Sequence, residues 1–166
     1  GLFQLGIGVQ STDPGTIKEI RRVMDLKRLE EVVRKVKKNG NIHQHLDLIA
    51  GLPWEDYETF GRSFDGVYEM KPQQLQLGFL KVLKGSYMSE MAEEYGCCHQ
   101  DKEPYEVLFT RWLPYEDLLR LKLVEEMTEV YYNSGQFLKT IPAAVSLFES
   151  PFAFYQALGD YYDQMG

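Results

Sequence analysis

The chain is poor in cysteine: its 166 residues include two, and these are neighbours, Cys97 and Cys98. An ordinary disulfide holds its two Cα atoms farther apart than adjacent residues allow. The composition therefore excludes a small domain held together by disulfides, and it favours a reducing, cytoplasmic setting.

The chain also lacks a long apolar run and an excess of positive charge. No segment approaches the length of about 20 apolar residues that spans a bilayer. Lysine and arginine number 18 against 25 acidic residues, for a net charge of -7. A chain with this balance is a poor phosphate-backbone binder. We therefore expect neither a membrane nor a nucleic acid as its partner, while 13% aromatic residues exclude a disordered chain.

Three segments repeat the order apolar run, turn, helix. The apolar runs cover residues 2–9, 42–50 and 74–82, and helical periodicity follows each of them. Strands that alternate with helices in this way form βαβ units and a parallel sheet. The pattern thus predicts an α/β fold, either part of a (β/α) barrel or a small doubly wound sheet.

The pattern changes at residue 97. Residues 97–104 are polar and irregular, and residues 105–112 form either a short strand or an extended link. A long helix is predicted over 115–132, with Leu119, Leu123, Met127 and Val130 on one apolar stripe. We therefore divide the chain into an α/β part, residues 1–96, and a mainly helical extension, residues 97–166.

Two polar and two apolar residues lie at or near the predicted strand ends. Gln10 follows the first strand and Asp47 lies late in the second. Phe79 and Val82 end the third. In an α/β fold these ends share one edge, which is where ligands bind.

A cation follows the first strand at a short distance. Arg22 can form a forked hydrogen bond with a carboxylate or a phosphate. Together with Gln10 and Asp47 it suits a ligand with an α-carboxylate, a ribose and an adenine. The alternative is structural, with Asp47 capping a loop and Arg22 paired with Glu19.

Two patterns that contain histidine are candidate metal ligands. His43 and His45 alternate along the second predicted strand, so they share a face, but the sequence identifies no third ligand. Cys97, Cys98 and His99 are consecutive, and consecutive residues do not easily converge on one tetrahedral ion. We predict inert or oxidisable thiols and no metal site.

Several segments resemble the second half of a radical S-adenosylmethionine (SAM) domain. They are 8–11 (GVQS), 20–22 (IRR), 46–53 (LDLIAGLP) and 75–86 (LQLGFLKVLKGS). They are similar to the fourth, fifth and sixth βα units of its partial barrel. The likeness is closer to radical SAM proteins with a cobalamin-binding domain, often labelled Fe–S oxidoreductases or anaerobic magnesium-protoporphyrin ester cyclases. Residues 105–137 resemble a helical extension found in some of them.

The resemblance implies a cofactor and a role for each strand-end residue. Gln10 would contact the methionyl part of SAM and Arg22 its carboxylate. Asp47 would hold the ribose hydroxyls, and Phe79 and Val82 would line the adenine pocket. The parent protein would use an iron–sulfur cluster to cleave SAM reductively and start radical chemistry on an unknown small molecule. The use of cobalamin stays open.

Two features depart from the family pattern. The family's Gly-Thr-Pro after the sixth strand is here Gly85, Ser86 and Tyr87. The Cys-x3-Cys-x2-Cys motif that holds the cluster is absent from these residues. We therefore expect a C-terminal fragment that is inactive alone.

Half a barrel exposes strand edges, so the expected partners are the missing N-terminal half and a second copy of the fragment. The alternative functions are a non-catalytic interaction module and a cluster-free barrel enzyme that acts on a phosphorylated metabolite.

Overall fold

A three-stranded parallel sheet lies at the centre of the computed structural model, which describes residues 3–166. Its strands are β1 (Phe3–Gln10), β2 (Ile42–Ala50) and β3 (Gln74–Phe79), in the order β1-β2-β3. The three predicted strands and their parallel pairing are confirmed, but the third is shorter than predicted, because it ends at Phe79 and not at Val82. Leu2, the expected first residue of β1, lies outside the described residues.

Helices connect the strands, and an aspartate caps each of the first three. α1 (Pro14–Glu19) and α2 (Leu26–Asn39) lie between β1 and β2, and α3 (Tyr57–Glu69) lies between β2 and β3. In each case the carboxylate before the helix accepts an N–H of the first turn, which satisfies a backbone donor that the helix leaves free. The capping residues are Asp13, Asp25 and Asp56.

The two faces of the sheet differ in burial. Along β2, alternate residues from Gln44 to Ala50 are buried, and those between them are partly exposed. Leu46, Leu48 and Leu75 lie on the buried face and belong to one core with Phe60 and Phe64 of α3. The helices therefore cover this face, and we call the other one, on which His45 and Asp47 lie, the open face.

A short helix and a small hairpin follow β3. They are α4 (Tyr87–Glu90), β4 (Cys98–His99) and β5 (Val107–Phe109), and the last two pair in antiparallel fashion. Leu80 joins the hairpin to the sheet, because its N–H donates to the Ala50 carbonyl and its own carbonyl accepts from the Val107 N–H. Of the two alternatives for residues 105–112, the short strand is therefore correct.

The remaining helices pack on the sheet from the side of α3. α5 (Tyr115–Thr128) continues into a π-helical turn (Glu129–Asn133), followed by α6 (Thr140–Val145) and α7 (Pro151–Met165). The predicted stripe on α5 is wrong at its two ends, because Leu119 is 43% and Val130 45% exposed. The apolar residues of α5 that are buried are Leu118, Leu121, Val124 and Met127.

The α/β class and the three parallel strands are thus confirmed, while closure into a partial barrel and the division at residue 97 stay predictions. The core is continuous across that division, since Val124 of α5 and Tyr155 of α7 belong to the same cluster as Leu75. Among residues 3–166, no helix combines the length and the apolar character needed to cross a membrane.

Candidate functional site

The open face of the sheet carries polar side chains and glycines. Gly8 of β1 pairs with Asp47 of β2, which pairs with Gln76 of β3. Partners in a parallel register point to the same side, so these three residues form one row across the face. The next row contains Gly6, His45 and Gln74. The glycines leave space above β1, and a Cβ on Gly6 would meet nothing within 4 Å.

A tight turn at the end of β1 aims the Gln10 side chain. Gln10 has a positive φ of 69°, and the Ser11 N–H donates to the Val9 carbonyl at 2.9 Å, which closes a γ-turn. The pairing with β2 shifts at the same point, between Gly8 and Gln10. As a result the carboxamide lies over Gly8, where a Cβ would be 2.7 Å from Nε2 of Gln10. Gly8 is therefore needed for this close approach.

Arg22 reaches the same glycine from the loop after α1. Its Nη1 atom lies 3.7 Å from the position of a Cβ on Gly8. Gln10 and Arg22 thus approach one residue, and that residue is the register partner of Asp47. The ion pairs found in residues 3–166 do not join Arg22 to Glu19, whose carboxylate instead accepts a hydrogen bond from the Tyr95 hydroxyl.

The site contains buried polar atoms that the protein leaves without partners. Within the described part of the chain these include Oε1 of Gln10, Oδ1 of Asp47 and Nε2 of His45. Burial raises the pKa of the Asp47 carboxyl, and the charge of His45 opposes the rise in part. Because a buried polar atom without a partner is costly, this group of atoms is suited to a ligand that supplies hydrogen bonds.

The structure does not bring Phe79 and Val82 into this cluster. Phe79 pairs with Ala50, which is on the face opposite Asp47, and the Lys122 ammonium lies 5.0 Å from the centre of its ring. Val82 is 1% exposed within the core. Their contact with an adenine stays a prediction.

A buried glutamate lies behind the Gln10 turn and was missed by the sequence analysis. Glu55 is 1% exposed and accepts a hydrogen bond from the Ser11 hydroxyl. Asp56, and not Glu55, caps the start of α3. The signal that could have found it is position, because Ser11 and Glu55 follow the carboxyl ends of neighbouring strands.

The cysteines do not fit a cluster site. Cys97 and Cys98 are free thiols, and burial, together with the neighbouring Cys98, raises the pKa of Cys97 to about 11. Residues 3–166 contain no group of three or more histidine, cysteine or acidic side chains arranged to hold a metal ion. His43 and His45 contact each other edge to face, with ring centres 4.9 Å apart.

The observed arrangement offers hydrogen-bond partners for a carboxylate and for hydroxyl groups, both of which SAM carries. Arg22 offers a fork for a carboxylate, Asp47 offers an acceptor for hydroxyls, and Gln10 offers both a donor and an acceptor. The unpartnered oxygens of Gln10 and Asp47 are the observation that supports the fit.

Sequence comparison links parts of the chain to two groups of proteins. A family profile described as "Protein of unknown function (DUF4080)" matches residues 93–166. A probable threonylcarbamoyladenosine tRNA methylthiotransferase of Pyrococcus abyssi is 30% identical over 74 residues, which are 44% of this chain. The match covers 17% of that relative, so this chain corresponds to a small part of its length.

Two solved structures share the fold. Coproporphyrinogen III oxidase (HemN) from Escherichia coli, a radical SAM enzyme, has a TM-score of 0.54 and 18% identity, over 89% of this chain and 32% of its own. The radical SAM methyltransferase TsrM from Kitasatospora setae, with tryptophan and a SAM analogue bound, has a TM-score of 0.52 and 16% identity, over 63% and 22%. The three-stranded parallel sheet and its helices therefore have a fold similar to part of the radical SAM enzymes.

Proposed function

We propose that this chain is the C-terminal part of a radical SAM protein and that it contributes one side of the SAM site. The observation that carries the proposal is the convergence of Gln10 and Arg22 over Gly8, directly beside Asp47. The shared fold supports it independently, because the site lies at the carboxyl ends of the strands, where α/β proteins bind ligands.

Each residue of the cluster has a proposed role. Arg22 pairs with the carboxylate of SAM, Asp47 accepts hydrogen bonds from the ribose hydroxyls, and Gln10 contacts the methionyl part. The adenine is proposed to lie near the carboxyl end of β3, where Phe79 ends the strand and Val82 follows it. Burial raises the pKa of the Asp47 carboxyl, because it removes water from the charged form. A hydroxyl that donates to its unpartnered Oδ1 atom would offset this loss.

The chain alone is proposed to bind SAM without cleaving it. The described residues offer no ligand set for an iron–sulfur cluster, so the reductive step belongs to the parent protein and none of it is assigned to these side chains. The cobalamin-binding subtype rests on the resemblance of the strand segments alone, and the substrate is proposed to be a small molecule that reaches the open face.

Titration calorimetry with SAM tests the site. We expect Asp47→Asn and Arg22→Met each to weaken SAM binding about tenfold or more, because each removes a charged hydrogen-bond partner. Arg34→Met and Asp101→Asn are matched controls on the exposed surface, and they should leave the affinity unchanged.

Equal affinity for the wild type and both site variants would contradict the proposal. So would an absence of heat and of chemical-shift change at Gln10 and Asp47 when SAM is added to folded protein. A loss confined to the site variants supports it.

A further inference from the structure

The turn at Gln10 needs something to hold it. A γ-turn with a positive central φ is rare, and it is strained for a residue other than glycine. Such a conformation persists when its surroundings determine it more strongly than the local preference does. Gln10 has this conformation, and the residue after it, Ser11, is completely buried.

Hydrogen bonds fix Ser11 from two sides. Its hydroxyl donates to Oε2 of Glu55 and accepts the Asp13 N–H at 3.1 Å. Ser63 of α3 completes the network, because its hydroxyl lies 3.5 Å from the same glutamate oxygen and accepts the Thr12 N–H at 3.0 Å. Ser11, Glu55 and Ser63 are each no more than 1% exposed, and we call these three residues the latch.

We propose that Glu55 is a positioning residue that, through Ser11, holds the strained turn which places the Gln10 carboxamide over Gly8. The latch joins the loop after β1 to the loop after β2 and to α3, so the turn is fixed by two neighbouring units of the fold. The value of this placement for ligand binding rests on the proposed function; the placement itself does not.

The latch is suited to the neutral form of the glutamate. Burial raises the pKa of Glu55 to about 8, and nearby Asp13 and Asp56 raise it further against the hydrogen bonds from Ser11 and Ser63. Both charged groups that face it are therefore acidic, and the other glutamate oxygen, Oε1, has no partner within residues 3–166. Above pH 8 an ionised Glu55 lies buried beside two acids, which loosens the latch.

Nuclear magnetic resonance of the full, 15N-labelled chain tests the latch without a ligand. In Glu55→Ala we expect the Ser11 amide to exchange at least about tenfold faster relative to core amides, and the Gln10 side-chain signals to shift. Glu55→Gln keeps a neutral acceptor and should restore both. Gln44→Ala is the matched control, because Gln44 is also buried and its side-chain oxygen, Oε1, also has no partner within residues 3–166.

A pH titration gives a second measurement if Glu55→Ala does not fold. The Gln10 signals of the wild type should shift as the pH passes about 8, and those of Glu55→Gln should not. Gln10 signals that stay constant while the Glu55 carboxyl titrates would overturn the proposal, as would an equal loss of Ser11 protection in Gln44→Ala.

The failure of the proposed function looks different. A latch that responds to Glu55 as expected, in a chain that does not bind SAM, would support the positioning role and contradict the SAM site alone. Where SAM does bind, its affinity should fall in Glu55→Ala and recover in Glu55→Gln.

Discussion

At the end of β1, Gln10 has a strained backbone conformation, and Gly8 leaves room for its side chain. Gln10 adopts a conformation that glycine would adopt freely, and Gly8 supplies the space into which the carboxamide folds back. Strain of this kind is concentrated at functional sites because the surrounding structure imposes it. Glycine would fit the backbone conformation at position 10 with less strain. We therefore attribute the glutamine at this position to the role of its side chain.

Replacing Gln10 with glycine separates these two roles. We expect Gln10→Gly to stabilise the chain or leave it unchanged, by up to about 1 kcal/mol in urea denaturation, because glycine removes the strain of the positive φ. SAM binding should weaken by about tenfold, because the carboxamide is lost.

Lys71→Gly is the matched control for this change. Lys71 also has a positive φ, 52°, and it is exposed; it precedes the amino end of β3, whereas the site lies at the carboxyl ends of the strands. Its glycine variant should show the gain in stability with no effect on binding. A Gln10→Gly variant that is less stable and binds SAM normally would show that Gln10 is structural.

The sequence predicts those residues of the site whose position follows from the order of the strands. Parallel strands place their carboxyl ends together, so Gln10, Arg22 and Asp47 follow from the order of the apolar runs. Glu55 could not be recognised in this way, because its burial depends on a serine 44 residues away. The face of Phe79 depends on the register of β3, which a pattern of apolar residues does not specify.

The π-helical turn explains why the predicted stripe on the long helix fails at Val130, its C-terminal end. One extra residue per turn rotates everything that follows, and the Ser134 N–H accordingly reaches back to the Glu129 carbonyl, five residues earlier. Val130, which an uninterrupted α-helix would place on the stripe, is exposed, while Met127 before the turn is buried. Because α5 also contacts β3, β5 and α7, its buried residues do not follow one stripe.

The same turn places Asn133 against the outer edge of β3. Its Oδ1 accepts the Leu75 N–H at 2.9 Å, and its Nδ2 donates to the Leu75 carbonyl at 3.0 Å. The Asn133 side chain thus replaces both hydrogen bonds that a further strand would make with Leu75. The sequence of the turn does not predict this contact.

Asn133→Ala should therefore destabilise the chain by about 1–3 kcal/mol, because it leaves two backbone groups of a buried leucine without partners. Asn41→Ala, in the exposed loop before β2, should change the free energy of unfolding by less than about 0.5 kcal/mol. Urea denaturation measures both, and exchange of the Leu75 amide locates the effect. An Asn133→Ala chain with unchanged stability and Leu75 protection would show that the edge is closed by other contacts.

At the scale of the molecule, the two outer edges of the sheet differ in whether a side chain covers them. The β3 edge is covered by Asn133, whereas β1 pairs with β2 alone among the described residues. Phe3 and Leu5 on β1 are 74% and 39% exposed. The chain also spans 17–32% of the proteins compared with it. Among the described residues, the β1 edge is therefore the one that is open to pairing with a further strand.

We propose that a second copy of the chain can occupy the β1 edge. An uncovered strand with exposed apolar side chains is a template for pairing. We expect light scattering to show a molar mass that rises with concentration above that of the monomer. Leu5→Lys should lower the association about tenfold or more, because a charge on an edge strand opposes pairing. Val23→Lys adds the same charge at a fully exposed valine outside the sheet and should have no effect, so equal loss in both variants would indicate association driven by net charge and not by the β1 edge.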